Sequence, residues 1–191
     1  MVKYGGSHHL RLGALLPRIA AAVLLGYLSG ASAAGAGHVD KIPEFSLEDQ
    51  HQRLHQYRLP RPRLSVLTVA DRKGSDQVEA WVRALKARYA ARLDVDGIAD
   101  VSVIPKPFHA LVRRGFKSRL TYPVMLDFDG QVVKALAIEK GKANVYVVQP
   151  DGQVLLRVTG VADAAALRRV FDILDTAFGA QLSARVQATS R

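Results

Sequence analysis

The chain has 191 residues, 49% of them apolar, no cysteine, and a formal charge of +10. That length suits one packed domain with a short appendage. The absence of a cysteine thiol excludes a lipid-anchored lipoprotein and any chemistry that runs through a thiolate.

In chain order, the first 33 residues read as an export signal. Lys3, Arg11 and Arg18 make a positive beginning, and no acidic residue precedes Asp40. Ile19 to Ser29 is an apolar run, too short for a membrane span of ~20 residues. Ala31-Ser32-Ala33 fits an A-x-A cleavage pattern, and no Arg-Arg pair suggests twin-arginine export. Cleavage there would leave 191 − 33 = 158 residues with a charge of +10 − 3 = +7 and no transmembrane segment in the mature chain. The expected location is periplasmic or secreted. A basic surface in that setting favours an unknown periplasmic protein or an anionic ligand as partner, and disfavours nucleic acid.

Residues 34–41 read as a flexible lead-in. Ile42 to Glu48 alternates like an edge strand, with Pro43 near its start. Leu59-Pro60-Arg61-Pro62-Arg63 is a stiff, basic loop. Leu64 to Ala70 is an apolar, β-prone run that predicts a buried strand. Asp71 to Asp76 breaks the pattern. Asp76 with Glu79 predicts a capping box, and Val78, Trp81, Val82, Leu85 and Tyr89 predict an amphipathic helix behind it.

Ile98 to Ile104 reads as a second buried strand. Phe108 to Lys117 reads as a helix with Phe108, Leu111, Val112 and Phe116 on its apolar side, and Arg113, Arg114, Lys117 and Arg119 make its far end basic. Tyr122 to Asp127 predicts a third strand, closed by Asp127-Phe128-Asp129-Gly130. Val132 to Ile138 suits a short helix. Asn144–Gln149 and Gln153–Val158 predict a hairpin about Pro150-Asp151-Gly152. Asp163 should cap a last helix buried through Leu167, Val170, Phe171, Leu174 and Phe178, with 179–191 a fraying polar tail. The order implies an α/β domain over 42–178: a mixed central sheet with a C-terminal antiparallel hairpin and helices on both faces.

Ile42-Pro43-Glu44-Phe45-Ser46-Leu47-Glu48-Asp49, Val66 to Ala70, Tyr122 to Gly130 and Asn144 to Gly152 together resemble the redoxins of the thioredoxin-like superfamily, the peroxiredoxin and thiol–disulfide reductase type. The resemblance spans about residues 41–178 and implies the thioredoxin-like fold. It also implies where the redox site would lie. The window that holds C-x-x-C or a peroxidatic Cys is here Lys73-Gly74-Ser75-Asp76, and the place of the family's cis-proline is held by Gly141-Lys142-Ala143. Neither cysteine position holds Cys, so the thiol chemistry is lost. A serine hydroxyl at Ser75 has neither the acidity nor the redox chemistry to replace it. The chain looks most like the cysteine-less periplasmic YtfJ-type branch. Lys73 and Lys142 should then face each other across a vestigial pocket at a helix N-terminus, a setting that favours anions unless Asp76 fills it.

Other chemistry finds weaker support in the residues. Asp127 and Asp129 imitate the paired aspartates of haloacid-dehalogenase-type phosphatases and suggest, as an alternative function, a metal-assisted phosphohydrolase. Gln131 and the short remaining chain argue against it. The same residues fail as a calcium loop, because Ile138 stands where a bidentate Glu is needed. His51 and His55 are four residues apart, but in a segment that reads as turn and strand rather than helix, and His109 lies on the basic helix. No Gly-rich phosphate loop or other cofactor motif is present. The residues therefore favour a binding or adaptor protein over an enzyme, with the basic helix or the vestigial pocket as its working surface.

Overall fold

The computed structural model describes residues 39–189. The segment 1–33 predicted as an export signal, residues 34–38 of the predicted lead-in, and 190–191 lie outside the described residues. Among the described residues seven strands are formed: β1 (Phe45–Glu48), β2 (Leu54–Tyr57), β3 (Ser65–Ala70), β4 (Asp94–Asp100), β5 (Met125–Asp127), β6 (Asn144–Val148) and β7 (Val154–Thr159). The helices are α1 (Val78–Tyr89), α2 (His109–Arg119), α3 (Gln131–Ala135) and α4 (Ala164–Thr189). β1 and β2 pair as a separate antiparallel hairpin, and the others form one sheet in the order β5-β4-β3-β6-β7.

β3 lies at the centre and every residue in it is buried. It runs parallel to β4 and antiparallel to β6, in the registers Val66↔Val95 and Val66↔Val147. A strand covered on both faces has no solvent side on which to alternate, which is why Leu64–Ala70 reads as an unbroken apolar run. α1 and α2 provide the crossovers between the parallel strands β3, β4 and β5, and β6 and β7 close as the expected hairpin.

On one face, Trp81, Leu85 and Tyr89 of α1 and Val170, Leu174 and Phe178 of α4 pack on Val66, Val145 and Val147. On that same side α2 covers Val101, Val124 and Leu126 with Val112 and Phe116. The opposite face carries Leu67, Val69, Ile98, Met125, Tyr146 and Val148 beneath Ile42, Tyr57, Val132, Val133 and Leu136. Trp81, fully buried, directs its indole N–H to the carbonyl of Gly160 at 2.9 Å, so its polar edge is satisfied as well as its ring.

Several expectations shift for identifiable reasons. β4 begins four residues before the predicted Ile98, because Arg61 approaches Asp94 at 3.2 Å and Asp96 at 2.9 Å and pairs the charges that hide the strand in a hydropathy count. The lead-in is tied down from Val39 on: Val39 packs on the core, the amide of Val154 donates to Asp40 O at 2.8 Å, and that of Ile42 donates to Gly152 O at 2.9 Å. β2 is an addition, hidden because Leu54 is exposed and only Tyr57 is buried. α4 continues through Gly179 to Thr189 rather than ending at Phe178.

The tip of the β1–β2 hairpin is fastened to β5 by polar side chains. Gln50, fully buried, donates to Tyr122 O at 2.8 Å and accepts from the Val124 amide at 2.9 Å, as a paired strand would. Asp49, also buried, accepts from the amides of His51 and Arg53 and from His55 Nε2 at 2.7, 3.0 and 2.8 Å. Burial pushes the Asp49 carboxyl up, but the bonds from His55, Arg53 and His51 outweigh it and hold the group below its ordinary value. Asp100 behaves alike: burial is outweighed by Lys140 and Ser102. Asp96 is shifted the other way by burial.

A carboxyl depressed in the fold contributes stability that is complete above its unfolded value and is lost as pH falls through the folded one. The melting temperature should therefore drop as pH goes below about 4, the ordinary carboxylate range. Asp49→Asn should flatten that acid slope in a thermal titration. The raised Asp96 works in the opposite sense, giving up its contribution as pH rises through its folded value.

Candidate functional site

The loop after β3 and the loop before β6 meet where the resemblance places the redox site. The contact is closed by two side chains. Asp71 accepts from the Gly74 amide through Oδ1 at 2.8 Å and from the Gly141 amide through Oδ2 at 2.9 Å. Gln77 accepts from the Ala143 amide at 3.1 Å and donates to Gly141 O at 3.4 Å. Gly74 is buried against the other loop: a Cβ there would lie 2.4 Å from both C and O of Lys142. Only a residue without a side chain lets the two backbones come this close.

The predicted residues divide accordingly. Gly74 and Ala143 are buried inside the joint. Ser75 is exposed and its hydroxyl donates to Arg72 O at 2.8 Å. Asp76 is exposed and forms no cap; the helix starts through a 3-10 turn at Ser75–Gln77, and the carboxylate that organises the turn is Asp71. Lys73 and Lys142 both lie at this joint, Lys73 Cβ standing 4.0 Å from a Cβ built on Gly141, and the Lys142 ammonium is held by Glu139 at 2.8 Å. Beneath the joint, fully buried Asn144 accepts from the Glu139 amide at 2.8 Å and Arg157 Nη2 at 3.1 Å, and donates to Glu139 O at 3.0 Å and Lys142 O at 3.1 Å. The amides of Gly74, Gly141 and Ala143 and the carbonyls of Gly141 and Lys142 are thus bonded within the joint.

Aspartates stand at the carboxyl ends of all three parallel strands, the edge where open α/β sheets take their ligands. Asp71 follows β3, and Asp100 and Asp127 end β4 and β5. Each accepts an amide of the loop that follows it, and Asp71 and Asp100 also reach the loop at 140–141. Asp100 accepts from the amide and hydroxyl of Ser102 at 3.1 and 2.6 Å and pairs with Lys140. Asp127, buried, accepts from the amides of Gly130 and Val133, both at 2.9 Å. Gly130, at φ +70°, makes the turn. Both oxygens of Asp127 are thus committed to the start of α3 while Asp129 points to solvent. The phosphohydrolase alternative finds no support in this arrangement, since its nucleophile would have to abandon two buried amides.

The basic helix is only partly a free face. Arg113 donates to Glu48 and to Asp49 O, each at 2.8 Å, and lies 5.0 Å over the Phe128 ring. It clamps the hairpin to α2. Arg114, Lys117 and Arg119 are exposed. The apolar side differs from expectation as well: Val112 and Phe116 pack inward, whereas Phe108 and Leu111 are exposed. His109 stacks on Phe128 at 3.7 Å and is not exposed on the helix surface. His55 is directed to Asp49 and His51 is exposed, so the two histidines do not converge.

Asp71, Gln77 and Asn144 were not singled out by the sequence reading. A signal for Asp71 was available: Asp71-Arg72-Lys73-Gly74 repeats the D-x-x-G pattern of Asp127–Gly130 directly after an apolar strand, and both aspartates accept from the glycine amide. Gln77 and Asn144 carry no local signal, because their partners are distant in sequence or backbone atoms.

No family model matches the chain, and no curated protein matches it. Solved structures do. It is similar to a protein from Chlorobium tepidum described as a thiol:disulfide interchange protein, DsbE, with 18% identity and a TM-score of 0.55 over 74% of this chain and 98% of that one. The pneumococcal exposed lipoprotein thioredoxin Etrx1 from Streptococcus pneumoniae shares 12% identity at a TM-score of 0.55, over 68% of this chain and 98% of its own. StoA from Bacillus subtilis shares 13% at 0.53, over 69% and 98%. The chain is thus built on the thioredoxin-like fold common to these proteins, with no cysteine anywhere in its sequence.

Proposed function

We propose that this protein is an exported, non-catalytic binding or adaptor protein on a thioredoxin-like scaffold, nearest to the cysteine-less periplasmic YtfJ-type branch. Its working surface is the exposed basic side of α2, and its partner is anionic or a protein. The observation that supports this reading is the joint itself. The loops that form a reactive cleft in a redoxin are stapled by Asp71 and Gln77 around Gly74, so the cleft has become structure and the free charge lies elsewhere. The setting of the similar structures, among them an exposed lipoprotein, agrees with export through residues 1–33.

The test is crosslinking in the producing cell. Wild type is compared with Arg114→Gln/Lys117→Gln/Arg119→Gln, and Arg113 is left intact because it holds the hairpin. A partner captured by wild type and lost in the triple variant is the expected result. Equal capture by both would refute the assignment of the basic face.

A further inference from the structure

We infer that the N-terminal half of α2 and the loop before it form an interfacial anchor for an anionic lipid surface. The inference rests on the basic face of α2 being the working surface, and it names what that surface meets. From Val101 to Leu126 the chain has five Lys or Arg and no Asp or Glu. Of the acidic side chains that the fold brings near this segment, Glu48 is taken by Arg113 at 2.8 Å, Asp100 by Ser102 and Lys140, and Glu79 lies 4.0 Å from Arg83. Lys106, Arg114, Lys117 and Arg119 are left as an exposed set of one sign.

Large apolar side chains stand out from the same ridge. Val103 is 80% exposed, Leu111 65% and Phe108 54%, with Pro105 and Pro107 exposed between them. Leu111 lies one helical turn from both Phe108 and Arg114, so apolar and cationic groups share one side of the helix. A Cβ built on Gly115, one turn beyond Leu111, meets nothing within 4 Å. The ridge therefore projects instead of lining a groove. A projecting ridge has no walls with which to enclose a partner's side chain, whereas a bilayer interface needs none. It accepts Phe and Leu at the level of the acyl boundary and places flanking cations among anionic head groups. Cations alone would suit any polyanion. The exposed Phe108, Leu111 and Val103 among them favour the lipid surface.

The test is co-sedimentation of the protein as the cell accumulates it, its processing defined by mass, with vesicles of phosphatidylcholine alone or with phosphatidylglycerol at 3:1. Wild type should bind the mixed vesicles and not the neutral ones. Phe108→Ser/Leu111→Ser should weaken that binding by about tenfold or more. Arg114→Gln/Lys117→Gln/Arg119→Gln should weaken it by about a hundredfold, since a cation near a charged surface contributes a factor of several. Both variants alter exposed residues, and an unchanged melting temperature would show that they fold. Binding that ignores Phe108→Ser/Leu111→Ser would overturn the anchor in favour of plain charge adsorption. No binding to either vesicle would overturn it as well. If crosslinking then still captured a protein through Arg114, Lys117 and Arg119, the basic face would stand with a protein as its occupant. If capture also ignored those cations, both readings would fall together.

Discussion

Asn144→Ala should cost on the order of 3 kcal/mol, a fall of about 6–12 °C in melting temperature for a domain of this size. Asn144 is fully buried, and its amide joins the Glu139 backbone, the Lys142 carbonyl and the Arg157 guanidinium. Truncation creates a small void and takes the Asn144 side chain from the Glu139 amide and carbonyl and the Lys142 carbonyl in a partly buried region, while Arg157 keeps its bond to Ala137 O. The second effect dominates, because a buried donor or acceptor left alone loses its full solvation. The loop 139–142 should loosen with it, and with the loop the partners of Asp71. Thermal and urea unfolding should agree, and a loss below about 1 kcal/mol would mean that water replaces the side chain.

Gly74→Ala should have an effect of similar size through the opposite mechanism, excess volume. The added methyl would sit 2.4 Å from the Lys142 carbonyl carbon and oxygen, both backbone atoms that cannot rotate away. Either the loops part, breaking the bonds of Asp71 and Gln77, or the strain is retained. A cost of about 2–4 kcal/mol is expected. Gly115→Ala is the matched control. It adds the same methyl inside a helix where nothing lies within 4 Å, and should stabilise the protein by about 0.5–1 kcal/mol, the usual gain from replacing glycine in a helix. The two alanines should move the melting temperature in opposite directions.

What could be read from the sequence followed how completely an element is buried. β3, α1 and the β6–β7 hairpin declare themselves through continuous or periodic apolar residues, because the core alone fixes them. β4 was misplaced because its first half presents Asp94 and Asp96, whose pairing with Arg61 comes from a loop more than thirty residues away in the chain. The closeness of residues 73–76 to 141–143 was legible through the resemblance, but the way the two loops are joined was not. Asp76 with Glu79 reads as a cap in one dimension, yet the carboxylate that the fold uses is Asp71, which holds its own turn at Gly74 and meets the amide of Gly141, seventy residues on, with its second oxygen. The basic helix shows the same limit. Arg113 and Arg114 are indistinguishable neighbours in the sequence, yet one step around the helix turns Arg113 onto Glu48 and leaves Arg114 in solvent.

That the place of a redoxin's cleft is here a structural joint, as we propose, is tested most directly by native-state hydrogen exchange at the amides of Gly74, Gly141 and Ala143. These donate to Asp71 and Gln77 across the two loops. All three should exchange slowly, with opening free energies near that of the β3–β6 core, and Asp71→Ala should release Gly74 and Gly141 together. Exchange at the rate of an exposed loop would mean that the cleft opens freely, and the vestigial site would again be the place to look for a ligand.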